Sequence, residues 1–138
     1  MIDETVVPIA LVLHLKDGFS LVDNIVSENT KKEFTASDIW FEETYMPNDS
    51  VQTTLGSAGE VRKFGMYQIN IRVPLNQGRI GALSYAQEIG LKFKPGTKLT
   101  RNGYEILIEK CEPAQGFQDD NWYLVPVTVY WSCDMTIN

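Results

Sequence analysis

The stretch Arg62-Lys63-Phe64-Gly65-Met66-Tyr67-Gln68-Ile69-Asn70-Ile71-Arg72-Val73 decides the fold. Tyr67, Ile69, Ile71 and Val73 alternate with Gln68, Asn70 and Arg72, a period of two that marks a strand with one face buried. Pro74 has no N–H to give to a ladder and stops the run. A second long strand is expected over residues 122–131, with Tyr123, Val125, Val127, Val129 and Trp131 on one parity. The other parity (Trp122, Leu124, Pro126, Thr128, Tyr130) is also largely apolar, so both faces are expected to be covered. Pro126 predicts an edge position or a bulge.

Outward from these two runs, residues 39–46 read as a strand closed by Pro47. Asn102-Gly103 marks a type I′ hairpin joining residues 98–101 to 104–111. Residues 6–17 read as a helix, with Thr5 as N-cap, Pro8 among the first residues and Gly18 just past the end. At 100° per residue Leu11, Leu15, Val12, Ile9 and Leu13 cover a broad arc, leaving a narrow side to Ala10 and His14. That arc is wide enough to touch two surfaces, one of them on a neighbouring subunit. Residues 78–93 return to helical spacing, with Ile80, Leu83, Ala86 or Gln87, Ile89 or Gly90, and Phe93 on one stripe; Pro95-Gly96 ends it. Residues 48–59 and 112–121 read as loops, the former long, polar and exposed. The order predicts one α+β domain over residues 1–138: an antiparallel or mixed sheet, with an N-terminal helix and a second helix packed on one face.

Composition fits such a domain. The 138 residues are 43% hydrophobic and 22% charged, with no low-complexity segment. Acids outnumber bases 18 to 12, which argues against gripping nucleic acid from outside, since that task needs clustered Lys and Arg. An acidic wall around a channel would instead keep DNA from sticking. Met1-Ile2-Asp3-Glu4 lacks a basic signal region, and the apolar run 6–13 is too short to span a bilayer; synthesis in a cytoplasm, with no membrane role, is the expectation. Cys111 and Cys133 are then expected as free thiols.

The chain offers little chemistry. Its one histidine, His14, lies mid-helix with no nucleophile near it in sequence, so a structural role is expected. The two cysteines lack companion ligands, Asp119-Asp120 reads as a solvated turn, and Gly56-Ser57-Ala58-Gly59 lacks the Lys-Ser/Thr of a phosphate loop. The 15 aromatics, six Phe, six Tyr and three Trp, sit mostly at strand parity, where core packing accounts for them. No enzyme, metal or cofactor is expected.

A resemblance supplies what the chemistry does not. Ile25-Val26-Ser27-Glu28-Asn29, the aromatic-bearing strand Ile39-Trp40-Phe41-Glu42-Glu43-Thr44 leading to Met46-Pro47, Thr54-Leu55-Gly56 and above all residues 62–71, with Gly65 between basic and aromatic neighbours, resemble the tail terminator family of long-tailed bacteriophages. Pro74, Gly78, the helix to Phe93, Pro95-Gly96 and the final apolar strand follow in the family's order, so about three quarters of the chain is covered. The resemblance implies a virion structural protein, made in the bacterial host cytoplasm. It would assemble as a hexameric ring at the head-proximal end of the tail, on the last ring of tube protein. There it would stop tube polymerisation, offer a joining surface to the head-completion or neck protein, and let DNA pass through its bore without specific binding.

A closed ring needs two different patches that meet on neighbouring copies. Leu11 and Leu15 of the first helix and Trp122, Leu124 and Tyr130 of the last strand are the expected inter-subunit contacts, with Arg62, Lys63 and Arg79 pairing to acids on a neighbour. Exposed ion pairs within the chain, each below about 1 kcal/mol, are the other reading of those cations. Asn48, Asp49, Ser50, Thr53, Thr54, Gly56, Ser57 and Gly59 form the expected tube-docking loop. Two further readings stay open: a head–tail connector ring, and a monomeric α+β domain that binds a small ligand.

Overall fold

A computed structural model describes residues 3–48, 51–52 and 60–136. Helix α1 (Val6–Lys16) leads through a single 3₁₀ turn at Val22–Asn24 into strand β1 (Ile25–Ser27). Then come β2 (Trp40–Pro47), β3 (Val51–Gln52), β4 (Glu60–Pro74), helix α2 (Ile80–Lys92), β5 (Lys98–Arg101), β6 (Tyr104–Pro113), β7 (Phe117–Asp119) and β8 (Trp122–Thr136). The strands build one sheet in the order β1-β2-β4-β8-β6-β5, with β3 added to β4 and β7 to β8. Among the described residues only the β1–β2 pair is parallel, so the sheet is mixed and the α+β expectation holds.

The alternation in β4 does what its spacing implies. Tyr67, Ile69 and Ile71 are fully buried and face Val129, Val127 and Val125 of β8 in register. Both helices cover this face, and Phe41, Phe93, Ile106, Ile108 and Trp131 complete the core. Gly65 is the exception within the buried parity. With no side chain there, Trp131 opposite it reaches across to stack on Tyr45, ring centroids 5.6 Å apart. A Cβ on Gly65 would come within 2.5 Å of the Met46 carbonyl oxygen. Asn102 and Gly103 both take positive φ (50° and 83°), as a type I′ hairpin requires.

Several expectations change. The covered side of α1 is Val6, Val7, Ala10, Leu11 and Leu15, so Ala10 belongs to the buried arc and Leu13, 53% exposed, faces out. His14 is drawn inward as well, against α2. The α2 stripe is also rotated: Ala82, Ala86, Ile89 and Phe93 are buried, while Ile80 (73% exposed), Leu83 and Leu91 face solvent. Thr5 makes no side-chain cap; its N–H and hydroxyl both donate to the Asp3 carboxylate, which holds the Asp3 pKa below its usual value. Pro126 lies in β8, a central strand. Its carbonyl accepts from the Ala114 N–H at 2.8 Å, so its absent N–H falls on the side where β6 gives way to β7 and no ladder donor is needed. The bulge belongs instead to β6, between Ile108 and Lys110.

The two expected loops each hold a strand, β3 and β7, and β1 adds a further strand. Among the described residues no helix covers the second face of the sheet. Leu124 is buried there, but Pro126, Thr128 and Tyr130 stay half-buried under partial cover.

Candidate functional site

Antiparallel pairing sorts the expected contact residues to the two ends of the sheet. The end of β2, the start of β4, the end of β8 and the β5–β6 hairpin converge at one end. Asn48 is there, its N–H donating to the Phe64 carbonyl at 2.9 Å, and β3 returns along Val61 and Arg62. Asp49, Ser50, Thr53, Thr54, Gly56, Ser57 and Gly59 lie outside the described residues.

Arg62 and Lys63 share this end, but both are committed within the chain. The Arg62 Nε donates to Asp134 at 3.0 Å, both side chains half-exposed, and the pairing raises the guanidinium pKa further. Lys63, only 14% exposed, bonds Glu4 just before α1 at 2.5 Å and ties the helix start to the sheet. Lys63 is thus taken up within the chain, while Arg62 keeps half its side chain open.

Trp122 and Arg79 lie at the opposite end. Trp122 donates its indole N–H to the Asp38 carbonyl at 3.2 Å and packs edge-on against Trp40, 5.5 Å between centroids. Around Trp40 is a cluster that sequence reading missed. Phe34 stacks on one side at 4.8 Å, and the Arg72 guanidinium lies 4.4 Å from the ring centroid. Arg72, 12% exposed, also donates to Glu42 (3.2 Å) and to Asp119 (3.1 Å), so Asp119 is a strand-to-strand tie and only Asp120 occupies a solvated turn. The even parity of Trp40, Glu42 and Arg72 was the available signal. What it lacked was the register that sets Trp40 opposite Arg72. Arg79 is exposed and has no ion pair among the described residues.

The contact reading of Leu11, Leu15 and Leu124 is corrected. Leu11 and Leu15 have no exposed surface and Leu124 is 4% exposed, so a neighbour cannot reach them without unpacking the core. Tyr130 remains half-buried, with Lys110 Nζ 4.5 Å from its ring centroid. Exposed apolar side chains lie instead at Leu13, Val22 and Phe117 and along α2. Ile80, Leu83 and Leu91 are exposed, and a cleft of about 320 Å³ between Leu83, Gly90, Leu91 and Pro113 is lined almost wholly by carbon.

The interior carries polar groups that do not reach the surface. Glu43, 7% exposed, accepts from Ser27 Oγ at 2.5 Å. Tyr67 is buried with its hydroxyl unpartnered among the described residues, and burial together with the Glu43 charge pushes its pKa up. His14 Nε2 donates to the Lys92 carbonyl at 2.7 Å; a carbonyl can only accept, so this nitrogen carries the proton. Lys92 Nζ returns a bond to the Asp17 carbonyl, and the two helix C-termini cap each other. Cys111 and Cys133 are free thiols, both pushed up to about 11, by burial first and then by neighbouring carboxylates. Among the described residues no group of three His, Cys, Asp or Glu side chains is placed to hold a metal ion.

Comparison with known proteins follows this geometry. A family model described as phage tail terminator protein matches residues 10–131. No curated protein matches the chain. One solved structure superposes with a TM-score of 0.77 over 96% of each chain, at 17% identity, and so shares the fold.

Proposed function

The chain belongs to the phage tail terminator family, a structural component of the bacteriophage tail, and we propose that it forms a ring on the last tube subunits, ends tube growth and offers the head its joining surface. The observation that carries this reading is the family match over residues 10–131. The exposed apolar residues of α2 support it, because a closed ring needs a patch on one copy that meets a different patch on the next. In this reading Ile80, Leu83 and Leu91 dock on a neighbouring copy, in place of Leu11, Leu15 and Leu124. Residues 48–59 meet the tube at one end of the sheet, and the end bearing Trp122 and Arg79 faces the neck. A net charge of -6 suits a bore through which DNA slides unbound.

The test is to mix the protein with polymerising tube protein. Light scattering coupled to size exclusion, and negative-stain imaging, should show rings free or at one tube end, and tubes of limited length. Tubes that grow without limit, with no ring in isolation or at their ends, would refute it. Binding to portal-proximal rings with tube length unchanged would point instead to a connector.

A further inference from the structure

We propose that the groove between α1 and the free edge of β5 is a docking site for an extended acidic segment of a protein partner, which joins the sheet as an added strand. The site rests on the edge geometry and is independent of ring formation.

β5 pairs with β6 and with no other strand among the described residues. The tight turn at Asn102-Gly103 fixes which backbone groups are spent. Arg101 and Tyr104 flank it as a bonded pair, and antiparallel ladders alternate, so Leu99 and Arg101 direct their N–H and C=O to β6. The Thr97 carbonyl, accepting from the Ile108 N–H at 2.8 Å, continues the same alternation. The N–H and C=O of Lys98 and Thr100 therefore point out along the open edge.

Side chains complete the site. Leu99 and Arg101 turn toward α1, and between the elements runs a groove of about 540 Å³. Ala10, Leu13 and Leu99 make its apolar wall, with Leu13 53% exposed. Lys16 and Arg101 place two cations on its lining with the carboxylate of Asp17, while Asp3 lies near enough to feel the Arg101 charge. The Arg101 Nε is buried and has no hydrogen-bond partner among the described residues. Arg101 itself lines the groove, and a carboxylate on an incoming strand pairs with its guanidinium there. An edge strand beside a helix, with pockets for alternate side chains, is the arrangement by which sheets capture extended peptides.

The experiment uses the full chain and two fluorescein-labelled octapeptides, one alternating glutamate with valine and one alternating lysine with valine. Fluorescence anisotropy should show saturable binding of the acidic probe and at least tenfold weaker binding of the basic one. Thr100→Pro deletes an outward N–H and leaves the β5–β6 ladder intact, and it should weaken the acidic probe at least tenfold. Arg101→Glu should do the same and improve binding of the basic probe. Amide exchange on the unaltered chain should slow at Lys98 and Thr100 when the acidic probe is present, a readout that does not depend on either variant folding. Equal binding of the two probes, no slowing at those amides, or full binding by Thr100→Pro overturns the proposal. Self-association that Thr100→Pro abolishes would overturn it in favour of a second copy.

Discussion

Replacing Gly65 by alanine should be among the costliest small changes in this chain, and the structure gives the magnitude. The added Cβ falls 2.5 Å from the Met46 carbonyl oxygen and 2.8 Å from the Pro47 Cα, both backbone atoms that cannot swing aside. Carbon contacts are comfortable near 3.5–4.0 Å, so β2 must retreat by about 1 Å. Overpacking of this sort costs about 1–3 kcal/mol. The retreat also stretches the Asn48 N–H to Phe64 carbonyl bond, now 2.9 Å, a further ~1 kcal/mol. The sum is about 3 kcal/mol, or roughly 10 °C in Tm for a domain of this size. Urea and thermal melts followed by far-UV circular dichroism measure it. Gly90→Ala is the control: nothing lies within 4 Å of its added Cβ, and alanine in a helix should gain about 0.5–1 kcal/mol. A Gly65→Ala cost below about 1 kcal/mol, or the same sign for both variants, would refute the claim that backbone crowding requires this glycine.

Four further outcomes are expected. Arg72→Met leaves Glu42 and Asp119 facing each other without their cation and should lower stability by about 2–3 kcal/mol, read as a shift in urea midpoint with altered near-ultraviolet dichroism from Trp40. His14→Ala removes one carbonyl bond and should cost about 1 kcal/mol with assembly unchanged, checked by melts and size exclusion. Leu91→Lys on the exposed face of α2 should alter stability by less than about 0.5 kcal/mol yet abolish ring formation, and rings of normal size would exclude that helix as the contact. Because the Cys133 thiol moves from 9.0 to about 11 on folding, the unfolded chain loses its proton first, so stability should fall as pH rises from 9 to 11. Discounted for solvent screening the loss is about 1–2 kcal/mol, and a Cys133→Ala variant should lack that part of the slope in urea melts at pH 7.5 and 10.

Strand assignments were legible in the sequence because a period of two survives any packing partner: the alternation of residues 67–73 names the buried face without reference to what covers it. The hairpin was legible for a similar reason, since Asn102-Gly103 carries its own backbone geometry. Helix faces were not. Every residue of α1 from Val6 to Leu13 is apolar, so hydrophobicity alone could not orient it. What turns His14 inward is the approach of α2, where the Lys92 carbonyl accepts from the imidazole. In α2 small residues, Ala82 and Ala86, lie on the covered side because the helix sits close on the sheet, while larger Ile80 and Leu91 are left outside. Bulk was the wrong guide to burial there.

The same inversion explains why assembly residues are harder to read than the fold. A side chain that serves a partner must be apolar and yet left uncovered, and the sequence records only the first property. Leu11 and Leu13 are equivalent in composition and two residues apart, but one is sealed and the other more than half open. Register then decides the rest. Arg62 and Lys63 both looked available until pairing set Arg62 opposite Asp134 and the chain's fold laid Glu4 against Lys63. Arg101, whose Nε stays unpartnered beside an open strand edge, was passed over in the sequence because one arginine in a hairpin carries no pattern. Charges paired inside the chain hold the two ends of the sheet in shape; in the proposed ring, those left over and the exposed apolar residues of α2 are what a neighbour meets.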